Sequence, residues 1–228
     1  MNMTVIDQGG RIFLAALCLI VLLLGVPTGI KEFYAVVGSG LTDASKFQTL
    51  VQDRQVLAPS SQAMKTVLGD CYVAMAGVFG KLRPVQDQKA VRENCLSTAL
   101  AITSSTPVNS YAWLVAAKAA SGLENFAGLN LYLSRSRETG PNESWLASLR
   151  TQLAEANFDV LGEGNRAAYV QDVGIVLEDQ LAREALARRF ALIEGARPVI
   201  LAAVESQSEV LQSRFLDAVR RAGVLISQ

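Results

Sequence analysis

Histidine is absent from this 228-residue chain. That absence excludes Ser-His-Asp and Cys-His nucleophile pairs, imidazole zinc sites and a histidine pH switch. Cysteine is scarce: Cys18, Cys71 and Cys95 form neither a CxxC pair nor any other metal-ligand spacing, so no metal site is expected. Neither sign of charge is in excess, because 21 Lys and Arg are interleaved with 21 Asp and Glu. No basic stripe is left to meet phosphates, and a nucleic-acid partner is not expected. Walker, GxSxG and SxxK sequences are missing, and GEGN at Gly162 to Asn165 is a lone Gly-x-Gly that reads as a turn. No catalytic residue and no cofactor is assigned. Sustained period-two alternation of β-branched residues is also missing, which argues against strands.

What the chain does have is apolar content, half of its residues, with under a fifth charged. That composition suits a packed body rather than a disordered one. From Ile12 to Ile30 no charge occurs over 19 residues, flanked by Arg11 before and by Lys31 and Glu32 after. At 1.5 Å per residue this run reaches about 28 Å, close to the hydrocarbon thickness of a bilayer. Residues 1–11 then form a short tail and 12–30 a transmembrane anchor. A cleaved signal peptide is the rival, but no small-x-small cleavage site lies at the right distance, and Pro27 interrupts the place for one. Cys18 comes after Leu17 inside the run, unlike a lipoprotein cysteine, and reads as apolar filler. Charge bias across the span is slight, and Arg11 beside it fits a signal anchor with a cytoplasmic tail. The expected location is the inner (cytoplasmic) membrane, single-pass, with the C-terminal domain in the periplasm.

Residues 31–58 read as a membrane-proximal linker with a short helix, in which Gly38, Ser39 and Gly40 break regular structure and Thr42 or Asp43 caps the short helix. Residues 59–228 read as an all-α domain. Its first long helix is expected from about Pro59 or Ser60 to Phe79, with Met64, Val67, Leu68, Cys71, Met75 and Val78 on one face. After a turn at Gly80 to Pro84, a second helix to about Ser104 carries Val91, Cys95, Ala99 and Ile102.

Folding this pair as an antiparallel hairpin about residue 82 puts Cys71 and Cys95 at similar heights on facing stripes. The pair has two readings. In an exported domain the thiols form a disulfide that staples the hairpin; in a cytosolic one they are small buried apolar residues.

Farther along, TPVNSYAWLVAAKAASGLENFAGLNLYLSRSRETG is succeeded by PNESWLASLRTQLAEA. Pro107 and Pro141 lie 34 residues apart, and Trp113-Leu114 recurs as Trp145-Leu146 after 32. Ala116, Ala117 and Ala120 line the first helix, Gly122 marks a break, and Ala127, Leu131 and Ser134 come next at helical spacing. These features resemble the tetratricopeptide repeat over about residues 107–156. The match departs from that family by being short near Gly122, by alanines where a Leu-Gly pair is typical, and by lacking the usual Tyr. The resemblance implies stacked helix pairs in which Trp113, Leu114, Ala127, Trp145 and Leu146 are packing residues.

After a polar break at Phe158 to Asn165, one helix is expected from Arg166 towards Leu192, with a Glu184–Arg188 pair. A last helix, from about Pro198 to Ala222, would carry Leu201, Val204, Leu211, Phe215 and Val219 on a stripe and an Asp217–Arg221 pair outside. Arg188, Arg189, Arg220 and Arg221 read as a solvated helix face.

The layout also resembles that of small bacterial inner-membrane proteins that accompany envelope polysaccharide polymerisation or export, which implies an accessory role. The leading expectation is a membrane-anchored adaptor whose partners are the bilayer and another envelope protein. The alternatives are a polysaccharide-cleaving enzyme using carboxylates among Glu93, Glu143, Glu163, Glu178 and Asp179, and a self-associating protein pairing through the Leu201 to Val219 stripe or the small residues of the anchor helix.

Overall fold

The computed structural model describes residues 5–37, 42–53 and 57–226. Among these residues every regular element is helical. The expected break at Gly38 to Gly40 lies outside them.

Helix α1 (Val5–Val37) includes the apolar run and extends beyond it in both directions. Residues 31–37, expected in the linker, are therefore its last two turns. Its stretch Gly10–Phe33 is long and apolar enough to cross a membrane, and none of it is buried against the rest of the chain. Pro27 lies inside the helix and has no N–H for the Leu23 carbonyl. One residue on, Thr28 Oγ1 donates back to the Leu24 carbonyl at 2.7 Å.

Helix α2 (Asp43–Val51) begins in a capping box, with Thr42 accepting from the Ser45 amide and Ser45 accepting from Thr42. Its Phe47 and Leu50 are buried, so this segment belongs to the folded body and is not a spacer. At its other end Asn94 donates to the Leu50 and Val51 carbonyls, the first of which also accepts from the Asp53 amide.

Helix α3 (Ser61–Ala76) is capped by Ser60, and the expected continuation to Phe79 fails at Gly77. There the backbone becomes extended and restarts as the single turn α4 (Val78–Lys81), which leaves Val78 73% exposed instead of on the core face. The close approach explains the break. A Cβ on Gly80 would sit 1.8 Å from the Ala74 carbonyl oxygen, so the chain folds back on α3 at a point that only glycine permits.

Helix α5 (Val85–Ser105) comes next and buries Val91, Cys95, Ala99 and Ile102. Helix α6 (Ser110–Gly122) then runs between two cores. Its Ala112, Val115 and Ala116 complete a first core with Phe47, Leu68, Val91 and Ile102. Its Leu114, Ala117 and Ala120 face a second core with Leu129, Leu146, Leu177 and Leu186. A helix enclosed on both sides must be apolar all round, and alanine lets both neighbours approach.

Helix α7 (Phe126–Thr139) and helix α8 (Ser144–Glu155) continue the chain. Ser110, at the start of α6, donates to the Ser136 carbonyl near the end of α7 at 2.7 Å. A 3-10 turn (Phe158–Val160) leads to helix α9 (Glu163–Glu178), three residues earlier than the expected start at Arg166.

The long helix expected to reach Leu192 is two helices. The chain turns extended at Asp179, whose carboxylate accepts from the Ala182 amide and starts α10 (Gln180–Leu192). The last expected helix is likewise split, into α11 (Arg197–Glu205) and α12 (Glu209–Ile226). Gln207 at this break donates to the Val170 and Ala203 carbonyls, which ties the turn to α9.

Candidate functional site

Cys71 on α3 and Cys95 on α5 are joined by a disulfide, their Cα atoms 5.7 Å apart, deep in the first core. Cys18 is a free thiol, exposed on α1. The link between anchor and body is polar: the Glu32 carboxylate of α1 accepts from the Ser60 amide at 2.7 Å and from its hydroxyl at 2.5 Å. The same hydroxyl accepts from the Ala63 amide, so the cap of α3 also holds the end of the apolar helix.

The repeat-packing residues separate into two groups. Leu114 and Leu146 are buried in the second core. Trp113 stacks on Tyr132 with ring centroids 6.0 Å apart and donates from Nε1 to the Pro107 carbonyl. Ala127 is exposed, as is Leu131, and α7 instead buries Gly128, Leu129, Leu133 and Ser136. The contact face of α7 is thus the opposite one from that expected.

Trp145 is 44% exposed. It stands edge-on to Tyr111 at 5.2 Å, and its Nε1 donates to Glu143. With Ser61, Lys65, Val108 and Asn109 it lines a surface groove of about 270 Å³. Val108, at the mouth, is 71% exposed. An indole and a valine open to solvent, with Lys65 and Glu143 at the edges, have the composition of a protein contact patch. Burial pushes the Tyr111 hydroxyl up to about 12, with Tyr72 and Asp70 adding to the shift, so this residue stays neutral at the edge of the groove.

A larger cleft, about 500 Å³, opens elsewhere between α3, α4, α6, α8 and α10. Tyr72, Lys81, Lys118, Gln152, Glu155 and Arg189 supply its polar wall, and Ala76, Leu153, Ala156 and Ile193 its apolar one. Glu155 is held by Arg189 at 2.7 Å, and Arg189 also donates to Thr151. Lys118 is kept below the ordinary lysine range, first by burial and then by Lys81 and Arg92.

The carboxylates proposed for catalysis are placed in separate local roles. Glu93 faces Lys89, Glu143 holds Trp145 and Asp179 caps α10. Glu163 and Glu178 are the first and last residues of α9, about 22 Å apart along its axis. Among the described residues no group of three or more Cys, Asp or Glu could hold a metal ion.

Of the expected helix pairs, Arg188 Nε donates to the Glu184 backbone carbonyl, and Asp217 pairs with Arg220 at 3.0 Å where Arg221 was expected. Arg189 is drawn into the cleft wall and does not join a solvated face. The stripe proposed for self-association is largely spent inside the molecule, with Val204 and Phe215 in the second core and Leu211 and Val219 against it.

Two features are not apparent from the sequence pattern alone. Arg150, 2% exposed, makes a two-pronged bond to Asp172, at 2.7 and 2.9 Å, and donates to the Gly140 carbonyl. Asp172 also receives Arg137 at 2.6 Å, which joins α7, α8 and α9. The other is Lys118. Each has a signal: Arg150 is a lone charge on the Leu146, Leu153 stripe, and Lys118 a lone charge among alanines.

No family model, curated protein or solved structure matches the chain.

Proposed function

We propose that this protein is a membrane-tethered helical adaptor that docks a protein of the cell envelope on the groove around Trp145. The observation that carries the reading is the division of the chain: Ile12–Ile30 is uncharged and exposed at every position, while the body closes two cores of its own. An unburied apolar helix of that length finds its burial in a bilayer. The Glu32 clasp on Ser60 then fixes the body close to the membrane surface.

The Cys71–Cys95 disulfide supports an oxidising compartment for the body, hence an inner-membrane anchor with the body in the periplasm. The Ser110–Ser136 contact supports pairing α6 with α7 as an antiparallel, tetratricopeptide-like unit that α8 continues. The accessory role in polysaccharide polymerisation or export rests on layout and on the same tether. A half-exposed Trp beside an exposed Val supplies the anchor residues that docking on a groove needs.

Placing a photocrosslinking residue at Trp145, and separately at exposed Leu181 on α10, tests the reading in native membranes. The expected result is an adduct with one other envelope protein from position 145 and none from position 181. Adducts with lipid or with a second copy of the chain, or identical adducts from both positions, would contradict it.

A further inference from the structure

We infer that the cleft between α3, α4, α6, α8 and α10 binds a small phosphate-bearing molecule, its anionic group held by Lys81 and Lys118 and its carbon body by the apolar wall.

The charges of the cleft are unevenly matched. Arg189 is paired with Glu155 at 2.7 Å within it. Arg92, behind Lys118, spends its donors on the Gly122 carbonyl and on Gln88, both uncharged. Lys81 and Lys118 form no side-chain hydrogen bond or ion pair among the described residues. The cleft therefore holds two uncompensated ammonium groups and no carboxylate left to neutralise them. Lys81 stands at the exposed rim, whereas Lys118 is partly buried without a partner, which is unfavourable: burial first, then Lys81 and Arg92, hold its pKa below the usual lysine value. A bound phosphate group, whether the dianion of a monoester or the monoanion of a diester, reduces that conflict.

Phosphate fits this cation set better than carboxylate does. Planar carboxylates are best met by a guanidinium fork, and both forks near the cleft are already engaged. Free lysines act as point charges, which suit the tetrahedral oxygens of a phosphate. Tyr72 and Gln152 stand on the same wall as donors for the remaining oxygens or for hydroxyls of the body. A volume of about 500 Å³ exceeds what phosphate alone fills and lies within the range of small-molecule sites. Leu153, Ala76 and Ala156 give the excess space an apolar lining. This site does not depend on the Trp145 groove, which is a separate surface.

The phosphate could come from a soluble ester or from a lipid headgroup, and calorimetric titration of the full chain in neutral detergent separates the two. Glycerol 3-phosphate and short-chain phosphatidylglycerol are the probes, with short-chain phosphatidylcholine as the zwitterionic control. Lys118→Gln is expected to weaken binding about tenfold or more, whereas Lys89→Gln, exposed on α5 outside both the cleft and the groove, leaves it unchanged. Binding of glycerol 3-phosphate lost in Lys118→Gln supports a soluble ligand. Lys118-dependent binding of phosphatidylglycerol alone supports a headgroup. Should Lys118→Gln disturb folding, Lys81→Gln at the exposed rim carries the same test. Binding of neither phosphate compound, binding that survives both substitutions, or equal binding of the phosphatidylcholine control would overturn the inference.

Discussion

Arg150 lies on the stripe of α8 that also presents Leu146 and Leu153 to the second core, so its guanidinium is committed to the interior by the helix period. Asp172 supplies the charge and the Gly140 carbonyl a further acceptor. Removing one member leaves the other charge buried, so Arg150→Met should lower stability by about 3–5 kcal/mol in denaturant unfolding of the purified chain. Asp172→Leu combined with Arg150→Met should recover most of that loss, since Arg137 is partly exposed and can turn to solvent. Equal losses for the single and double variants would show that the pair stabilises the native state outright.

Tyr111 gives a second residue-scale test. Its folded pKa is about 12 against an ordinary 10.0, so the proton is held in the native state after the unfolded chain has lost it. Its contribution to stability is complete below pH 10 and falls as pH rises from 10 towards 12. Tyr111→Phe should therefore reduce the alkaline fall in stability across that window, as measured by unfolding at stepped pH. Some fall should remain, because burial also raises Tyr72 and Tyr169.

At the scale of elements, sequence pattern carries the helical class and some of the starts and stops, such as those of α5, and it fails where two physical answers share one pattern. On α7, Ala127, Leu131 and Ser134 have the same spacing as Leu129, Leu133 and Ser136, two residues on. Two residues turn a helix by about 200°, so the two stripes are opposite faces, and only packing against α6 chooses between them. Asp179 is hidden for a related reason. It is flanked by helix formers on both sides, and an aspartate within a helix looks the same in sequence as one capping a new helix. The break at Gly77 is equally hard to read because two glycines share the constraint: a Cβ on Gly77 would meet the Val73 carbonyl oxygen at 2.7 Å, and Gly80, three residues on, lies where α4 folds against the Ala74 carbonyl. The cleft is not legible at all, since its wall gathers Tyr72, Lys118 and Arg189 from three separate helices.

The same scale holds the disulfide, which closes a separation of 24 residues across α3 and α5. Loop-closure entropy for that length makes it worth about 3 kcal/mol. Cys71→Ala with Cys95→Ala should lower the unfolding midpoint accordingly. The same substitutions should abolish the stability difference that reductant causes in the parent protein. A parent protein insensitive to reductant would show that the bond is not formed in the purified material.

At the scale of the molecule, the chain couples one unburied apolar helix to a body with two cores that share α6 as their wall. Several of its charged groups serve structure: Arg137, Arg150 and Asp172 bind three helices together, Asp179 starts one, and Glu32 secures the end of the apolar helix to the body. The two depressions differ in character, one aromatic and the other cationic.

Tether and compartment are the claim on which the rest of the function depends. Fusing alkaline phosphatase or a fluorescent protein after Ile226, and assaying both in intact bacterial cells, tests it most directly. The expected result is an active phosphatase, a dark fluorescent protein, and fusions that stay with the membrane after carbonate washing. Bright fluorescence with an inactive phosphatase, or release of the fusions by carbonate, would contradict it.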